Sequence, residues 1–410
     1  MSSPIEFLAD GSVTTPLGFT AAAAHAGLKA GGAPDVALLV SATSCGTAGV
    51  FTRNTVRAAP VLYDDALLGE RPGRIRGVAM NARVANACTG AEGLAAARAM
   101  AQAAEQAAGL PPRTALVLST GVIGVPLPVD RIAAGLRDAA GRLDAGGGAD
   151  VARAIMTTDT RPKHCAARFP AGGGVITVGG VAKGAGMIHP NMATLLGVLT
   201  TDATMDAAAL APILRRVADR SFNAISVDGD MSTNDTVLLL ANGASGIDPS
   251  RDGATAKRFE EAVQLVARHL ALAIVADGEG ATKTVEIQVT GAPTETAARD
   301  VGRAIARSAL VKTAIFGADP NWGRVLAAAG ASGVALAPDK LALQVELDGQ
   351  WMELARAGAT AHPDAARARD AFTRAQVRLR LDLGLGRAEA VVWTCDLTPE
   401  YVRINADYTS

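Results

Sequence analysis

The sequence has few of the residues that mark disulfide scaffolds, zinc sites and histidine-based active sites. It contains only four cysteines and five histidines in 410 residues. The cysteines form no CxxC pair, which argues against a zinc site and against a disulfide framework, and favours a reducing, cytoplasmic setting. The histidines show no HExxH or HxH spacing. A Ser-His-Asp or a Cys-His arrangement stays possible, because its members need not be close in sequence, but nothing in the pattern recommends one.

Strong charge of one sign and long apolar runs are also missing. The formal net charge is -1, and no run rich in lysine or arginine stands out, so neither nucleic acid nor an anionic membrane is an expected partner. The longest apolar runs are far below the roughly 20 residues that span a bilayer. The first residues lack the basic and apolar regions of a secretory signal. Small-molecule chemistry is the favoured class of function.

The composition provides ample material for a core, since 49% of the residues are hydrophobic. Helical periodicity predicts helices over residues 91–109, 206–220, 259–273 and 294–308. Alternation or short buried runs predict strands over residues 115–118, 175–178, 284–290, 341–347 and 376–381. The elements show no regular βαβ rhythm, so an α+β fold is predicted. Residues 140–152 (AGRLDAGGGADVA) are rich in glycine and alanine and predict a surface loop.

The segment most informative about chemistry is residues 181–203, VAKGAGMIHPNMATLLGVLTTDA. A turn signal at His189-Pro190-Asn191 precedes Ala193 and Thr194, and a small residue before a hydroxyl residue suits peptide self-cleavage. Cleavage would give Thr194 a free α-amine, which titrates near roughly 7.7–8.0 and can act as a base. A threonine and its own amine form a known nucleophile–base unit. The pattern alone fits an ordinary strand or helix threonine better.

The same segment resembles the signature of the ornithine acetyltransferase family, the bifunctional arginine-biosynthesis acetyltransferases. Other blocks resemble the family in the same order along nearly the whole chain. They are residues 119–124 (STGVIG), 156–160 (MTTDT), 227–230 (VDGD), 232–236 (STNDT), 277–283 (DGEGATK), 310–324 (LVKTAIFGADPNWGR) and 401–410 (YVRINADYTS).

The resemblance implies a fold and a maturation step. The fold is a layered αββα sandwich of the self-processing N-terminal-nucleophile kind, with a smaller C-terminal α/β part from about residue 285. Family members are cleaved between the residues that match Ala193 and Thr194. This gives an alpha chain (residues 1–193) and a beta chain (residues 194–410), which are expected to form a cytoplasmic heterotetramer of two alpha and two beta chains.

The resemblance also implies a ping-pong reaction. Thr194 takes the acetyl group from N2-acetylornithine, releases ornithine and passes the acetyl group to glutamate, in arginine biosynthesis. No metal and no bound cofactor are required. Some members use acetyl-CoA as donor, so acetyl-CoA is a candidate co-substrate. The motifs do not separate the monofunctional from the bifunctional members.

Two residues match the oxyanion hole of the family, Thr120 and Gly121. A turn after the predicted strand at residues 115–118 would present a hydroxyl and a backbone N–H to a developing oxyanion, which is usually the largest effect in acyl transfer. Without the resemblance, a plain turn is the simpler interpretation.

Further residues match substrate contacts of the family. Lys183 suits the α-carboxylate that acetylornithine and glutamate share, and Glu279 could hold an ammonium group. Either would otherwise be an ordinary surface charge. Thr157, Asn405 and Ser410 match further contacts, although Thr158 competes with Thr157 for that role. The last two imply that the C-terminus folds back into the site.

Some positions depart from the family pattern. Arg83 and Val84 replace small or polar residues, Met231 replaces a threonine, and Ser410 stands where the family commonly ends in threonine. Three alternatives stay open. They are a self-processing aminopeptidase or amidase of related fold, a relative that serves a secondary-metabolite pathway, and a non-catalytic protein that binds amino acids.

Overall fold

The structure, a computed structural model, describes residues 4–189 and 195–407. The strands are β1 Glu6–Leu8, β2 Phe19–Ala24, β3 Val36–Phe51, β4 Ile75–Asn81, β5 Ala115–Ser119, β6 Lys163–Ala171, β7 Gly174–Lys183, β8 Leu196–Thr201, β9 Thr236–Ala241, β10 Thr284–Ala292, β11 Ala342–Leu347, β12 Gln350–Arg356, β13 Ala359–Thr360, β14 Gln376–Asp382 and β15 Ala388–Cys395. The helices are α1 Ala59–Glu70, α2 Gly90–Ala107, α3 Val129–Ala140, α4 Gly148–Ala154, α5 Ala207–Asp219, α6 Gly253–Val275, α7 Glu295–Ala306, α8 Ala309–Phe316, α9 Trp322–Gly330, α10 Ala365–Thr373 and α11 Pro399–Asp407.

The larger sheet is folded into two layers by its longest strand. The first part of β3 pairs with β2 and β4, and the parallel strand β5 follows β4. The last part of β3 pairs with β9, and the order then runs through β8, β7 and β6 to β1. The register of β3 with β4 shifts between Val40 and Cys45. This irregularity lies between the two parts of β3, so the strand passes from one layer to the other there.

Neighbouring residues of the central strands face different cores. Val78 in β4 and Leu238 in β9 pack into one core between the two layers. The next residue of β9, Leu239, packs against α5 and α6, whereas Ala79 of β4 packs against α2 and α3. The order of layers is therefore helices, sheet, sheet, helices. Burial on both faces also explains why a strand such as β9, TVLLLA, is continuously apolar rather than alternating.

The C-terminal part of the chain builds a second sheet with the order β13-β12-β11-β14-β10-β15. Its strands β10, β11 and β14 alternate between buried and partly buried or exposed residues, with one break at Thr290 and Gly291 in β10. This pattern is expected when one face packs on a core and the other faces water. The buried face packs against α7, α8, α9 and α10.

The predicted α+β class and the layered αββα arrangement are confirmed, and the predicted helices and strands occur with small differences at their ends. One prediction is wrong. Residues 140–152 are not simply a surface loop, because Gly148–Ala154 forms α4, with Val151 and Ala152 fully buried. A Cβ atom on Gly148 would lie 2.0 Å from Ser12 Oγ. The small residues here permit close packing of a helix.

Among the described residues, no helix is both long enough and apolar enough to cross a membrane.

Candidate active site

One cavity brings together six of the residues that the sequence predicts for the site. They are Thr120, Gly121, Thr157, Lys183, Glu279 and Asn405. The cavity is also lined by Thr158, the alternative to Thr157, and by residues without a predicted role, namely Ala85, Ile123, Gly186, Met187, Ser232 and Asn234. The other predicted residues, Ala193, Thr194 and Ser410, lie outside the described parts of the chain.

The cavity lies beside the end of β7 and the start of β8. Lys183 is the last residue of β7, and its Cα partner across the antiparallel pair is Leu196, the first residue of β8. Leu195 is anchored as well, because its carbonyl accepts a hydrogen bond from the amide of Thr236 over 3.1 Å. The chain therefore enters β8 next to the Lys183 side of the cavity.

The turn after β5 is held by backbone hydrogen bonds to the segment after β4. Thr120 N–H donates to the carbonyl of Asn81 over 3.1 Å, and Val122 N–H donates to the carbonyl of Arg83 over 3.0 Å. Gly121 lies between them with φ +133°. A Cβ atom there would lie 2.1 Å from the carbonyl carbon of Arg83. Only glycine fits this close approach of two backbones.

A buried amide holds the same two segments together. Asn234 Nδ2 donates to the carbonyl of Ala85 over 2.6 Å and to the carbonyl of Ser119 over 2.9 Å. Its Oδ1 accepts a hydrogen bond from Thr233 Oγ1 over 2.7 Å. The side chain thus fixes the residue immediately before Thr120. No role was predicted for Asn234, although it lies in the block at residues 232–236.

The Lys183 side chain forms part of the cavity wall and is buried there. The residue is only 7% exposed, and its Nζ donates to Thr157 Oγ1 over 2.7 Å and reaches Thr120 Oγ1 at 3.4 Å. Burial lowers the pKa of Lys183, and the Asp159 carboxylate opposes that effect. Of the two neighbouring threonines, Thr157 is the one that contacts the lysine, although Thr158 also lines the cavity.

Asp159 is fully buried beside Lys183 and was not predicted as a site residue. Its Oδ1 accepts hydrogen bonds from Gly184 N–H and from Lys163 Nζ, both over 2.7 Å. Its Oδ2 accepts from Thr157 N–H over 3.0 Å and lies 3.8 Å from Lys183 Nζ. Burial opposes ionisation, but the two lysines outweigh it and hold the pKa of Asp159 well below its usual range. The sequence feature that could have indicated Asp159 is its position as the acidic residue of the block MTTDT.

The last helix, α11, contacts a carboxylate of the cavity lining. Asn405 Nδ2, on α11, donates to Glu279 Oε2 over 2.7 Å. Glu279 N–H donates to the carbonyl of Ala185 over 2.9 Å, which ties its loop to the segment after β7. A Cβ atom on Gly186 would lie 2.3 Å from the Glu279 carboxylate. The absence of a side chain at position 186 leaves room for that carboxylate.

Two of the residues that depart from the family pattern, Arg83 and Met231, contribute to this region through their backbones. Arg83 has φ +74°, in the left-handed region that most residues avoid, and its backbone is the surface against which Gly121 packs. Met231 forms a bridge with Ile188, and its carbonyl accepts a hydrogen bond from Asn54 Nδ2 over 3.0 Å.

The arrangement offers three kinds of chemistry within one cavity. The Thr120 hydroxyl and the Gly121 backbone supply neutral hydrogen-bond donors, Lys183 supplies an ammonium group, and Glu279 supplies a carboxylate. Such a site can bind a zwitterionic small molecule by both charges and stabilise a negative oxygen.

Comparison with known proteins places the chain among relatives of similar length. Residues 20–410 match the profile of the ArgJ family. The arginine biosynthesis bifunctional protein ArgJ of Symbiobacterium thermophilum is 50% identical over 410 residues, which cover 98% of this chain and 100% of that protein. The protein of the same name from Thermotoga neapolitana is 45% identical over 394 residues, which cover 96% of this chain and 99% of that protein.

Two solved structures are similar to parts of the chain. The arginine biosynthesis bifunctional protein ArgJ of Bacillus halodurans is 38% identical, with a TM-score of 0.43, and the match covers 46% of this chain and 97% of that one. The ornithine acetyltransferase of Mycobacterium tuberculosis, complexed with ornithine, is 39% identical, with a TM-score of 0.42, over 46% of this chain and 99% of that one.

Proposed function

The chain belongs to the ArgJ family, and we propose that it transfers the acetyl group of N2-acetylornithine to glutamate through an acetyl ester on Thr194. The observation that carries this proposal is the cavity that places Lys183 and Glu279 around the Thr120-Gly121 turn, beside the strand that begins two residues after Thr194. The pathway is arginine biosynthesis, which is the role in the names of the curated relatives.

Lys183 and Glu279 recognise the charges of the substrate in this proposal. The Lys183 ammonium binds the α-carboxylate that acetylornithine and glutamate share, and Glu279 binds the side-chain ammonium of the ornithine part. The Thr157 hydroxyl holds the Lys183 side chain in place, and the Asn405 amide holds the Glu279 side chain in place. Ser410 contributes a further contact. Charge-assisted hydrogen bonds of this kind supply both affinity and orientation.

The chemistry begins with self-cleavage between Ala193 and Thr194, which creates the α-amine of Thr194. That amine takes the proton of the Thr194 hydroxyl as the hydroxyl oxygen attacks the acetyl carbonyl. The Thr120 hydroxyl and the Gly121 N–H stabilise the resulting oxyanion. The C–N bond then breaks, the proton passes to the leaving amine, and ornithine departs. The α-amine of glutamate attacks the acetyl ester in the same manner and regenerates the threonine.

The processed protein consists of an alpha chain (residues 1–193) and a beta chain (residues 194–410), assembled as a cytoplasmic heterotetramer that needs no bound cofactor. Acetyl-CoA is proposed as a second donor, in keeping with the word bifunctional in the names of the relatives. Formation of N-acetylglutamate from glutamate and acetyl-CoA would establish this activity, and its absence would leave acetylornithine as the donor.

Denaturing mass analysis and one assay test the proposal together. We expect two fragments that meet at Ala193 and Thr194, an intact chain of 41.5 kDa for Thr194→Ala, and retained cleavage for Thr194→Ser, which keeps a hydroxyl. The fragments should form N-acetylglutamate from acetylornithine and glutamate. A wild-type chain that stays whole contradicts the mechanism. Release of acetate without glutamate as the main reaction identifies an amidase instead.

A further inference from the structure

Four buried charges form a row that begins at the cavity. In order they are Lys183, Asp159, Lys163 and Asp277, with side chains 8%, 0%, 1% and 3% exposed. Lys163 Nζ lies 2.7 Å from Asp159 Oδ1 and 2.5 Å from Asp277 Oδ2. Buried ion pairs contribute little net stability, because desolvation offsets the attraction between the charges. A row of four therefore calls for an explanation other than stability.

The geometry keeps Asp159 close to Lys183 without a direct hydrogen bond. Asp159 accepts three hydrogen bonds from Thr157 N–H, Gly184 N–H and Lys163 Nζ. These leave its Oδ2 3.8 Å from Lys183 Nζ, which is too far for a hydrogen bond but close enough for a strong electrostatic attraction. An ammonium group has three hydrogen atoms. Lys183 donates one to Thr157 over 2.7 Å and a second to Thr120 over 3.4 Å, so one remains.

We propose that Asp159 and Lys163 are positioning residues for Lys183. Asp159 keeps the buried ammonium charged, and Lys163 holds Asp159 so that the remaining hydrogen atom of the ammonium stays available for the substrate carboxylate. This deepens the proposed function and rests on it. The Asp159 carboxylate attracts the Lys183 ammonium without bonding to it. Lys163 Nζ binds Asp159 Oδ1, the oxygen that could otherwise turn toward Lys183. Asp277 compensates the charge of Lys163 and is held in turn by Thr160 N–H over 3.1 Å.

The row also crosses the proposed cleavage point. Lys183, Asp159 and Lys163 lie in residues 1–193, whereas Asp277 lies in residues 194–410, two positions before Glu279. The Lys163–Asp277 pair therefore joins the segment that holds Lys183 to the loop that holds Glu279, so that the two substrate-binding charges share one support.

The two positioning residues act on Lys183 with opposite signs, which makes the proposal testable by pH. The Asp159 carboxylate raises the pKa of Lys183 and the Lys163 ammonium lowers it. Among the described residues, the charged groups that interact electrostatically with Lys183 are Asp159, Lys163, Glu279, Asp235 and Lys29. Only the protonated lysine binds a carboxylate, so KM for glutamate is low below the pKa of Lys183 and rises about tenfold per pH unit above it.

The experiment measures KM and kcat for glutamate between pH 6 and 10, with the dissociation constant of ornithine by calorimetry as a readout that needs no turnover. For Asp159→Asn we expect the rise in KM to begin about one pH unit lower than in the wild type, the lower end of the shift that an adjacent charge produces. For Lys163→Met we expect the rise to begin at higher pH. In both variants kcat should change less than KM.

Asp202→Asn is the matched control. Asp202 is a buried aspartate directly after β8 that accepts backbone hydrogen bonds from Leu17 and Thr177, so its loss affects folding without moving the pH profile. Melting curves and complete self-cleavage establish that each variant is folded.

If Asp159→Asn does not fold, the upward shift of the pH profile in Lys163→Met decides. Unchanged profiles, or shifts in the same direction for both variants, overturn the proposal. Because the wild type is assayed first, failure of the proposed function appears there as a lack of acetyl transfer.

Discussion

Gly121 packs against the backbone of Arg83 so closely that a Cβ atom at position 121 would lie 2.1 Å from the Arg83 carbonyl carbon. Two backbone segments that follow different strands, β4 and β5, thus meet at the proposed oxyanion hole. Arg83 occupies a left-handed conformation there, which costs a residue other than glycine about 1 kcal/mol or more. The precise position of the Gly121 N–H depends on this contact.

Gly121→Ala should therefore abolish most of the activity. The added methyl group must push the turn away from Arg83, which displaces the Thr120 hydroxyl and the Gly121 N–H together. Loss of one oxyanion-hole donor typically costs a factor of about 10² to 10³ in kcat, and we expect at least that loss in steady-state assays.

Gly124→Ala is the control for that experiment. Gly124 lies in the same turn with φ +80°, but nothing lies within 4 Å of a Cβ atom there. This variant should lose about 1 kcal/mol of stability through backbone strain and keep nearly normal kcat. Equal losses of kcat in both variants would show that strain, rather than displacement of the oxyanion hole, explains the effect.

Asn405→Ala should weaken substrate binding. It removes the hydrogen bond that holds the Glu279 carboxylate, and an exposed bond of this type is worth about 1 kcal/mol, or a several-fold rise in KM for acetylornithine. Arg403→Ala, on the same helix, removes an exposed pair with Glu400 and should leave KM unchanged. An unchanged KM in Asn405→Ala would argue that α11 does not take part in binding.

His189 should make the protein less stable in mild acid. Burial, aided by Arg303 and Arg307, lowers its pKa to about 4. The folded state keeps the imidazole neutral, while the unfolded chain takes up a proton near pH 6.5. Stability is therefore lost as the pH falls from about 6.5 to 4, by at most roughly 3 kcal/mol. Denaturant unfolding of His189→Gln should show a smaller loss over this range, and an identical loss would contradict the assignment.

Asp64 should make the protein less stable as the pH rises, which is the opposite of the effect of His189. Burial raises its pKa well above the usual value. One of its oxygens accepts a hydrogen bond from Val117 N–H over 2.9 Å, and the other has no partner among the described residues. Its contribution to stability is complete below about pH 4 and declines as the pH rises. Asp64→Asn, which imitates the protonated form, should melt at least roughly 2 °C above the wild type at pH 8, the shift that about 1 kcal/mol produces. The two melting temperatures should converge near pH 4.

Sequence blocks predicted more of this molecule than periodicity did. The resemblance carried by STGVIG, MTTDT and DGEGATK predicted the family, which is confirmed, and selected Thr120, Thr157 and Glu279, which the fold brings to one cavity. The roles of these residues remain predictions. Blocks succeed here because each keeps a short local structure, such as the turn that Gly121 permits.

What the sequence did not predict depends on contacts between distant segments. Lys163 and Asp277 are 114 positions apart, and no local pattern shows that they form a buried pair. Asn234 bonds to carbonyls 149 and 115 positions away. The glycine-rich start of α4 was predicted as a loop because its low helix propensity is visible in the sequence, while the close packing against Ser12 that stabilises it is not.

The order of strands in the larger sheet determines how a cleaved protein can come apart. Strands β8 and β9 lie between β7 and β3, so a cut before residue 194 leaves two strands of one fragment inserted between strands of the other. Neither fragment can complete the cores around this sheet alone, so the proposed cut requires a chain that has already folded. After the cut, unfolding releases two molecules instead of one. The melting temperature of the mature protein should then rise with its concentration, and refolding should become bimolecular.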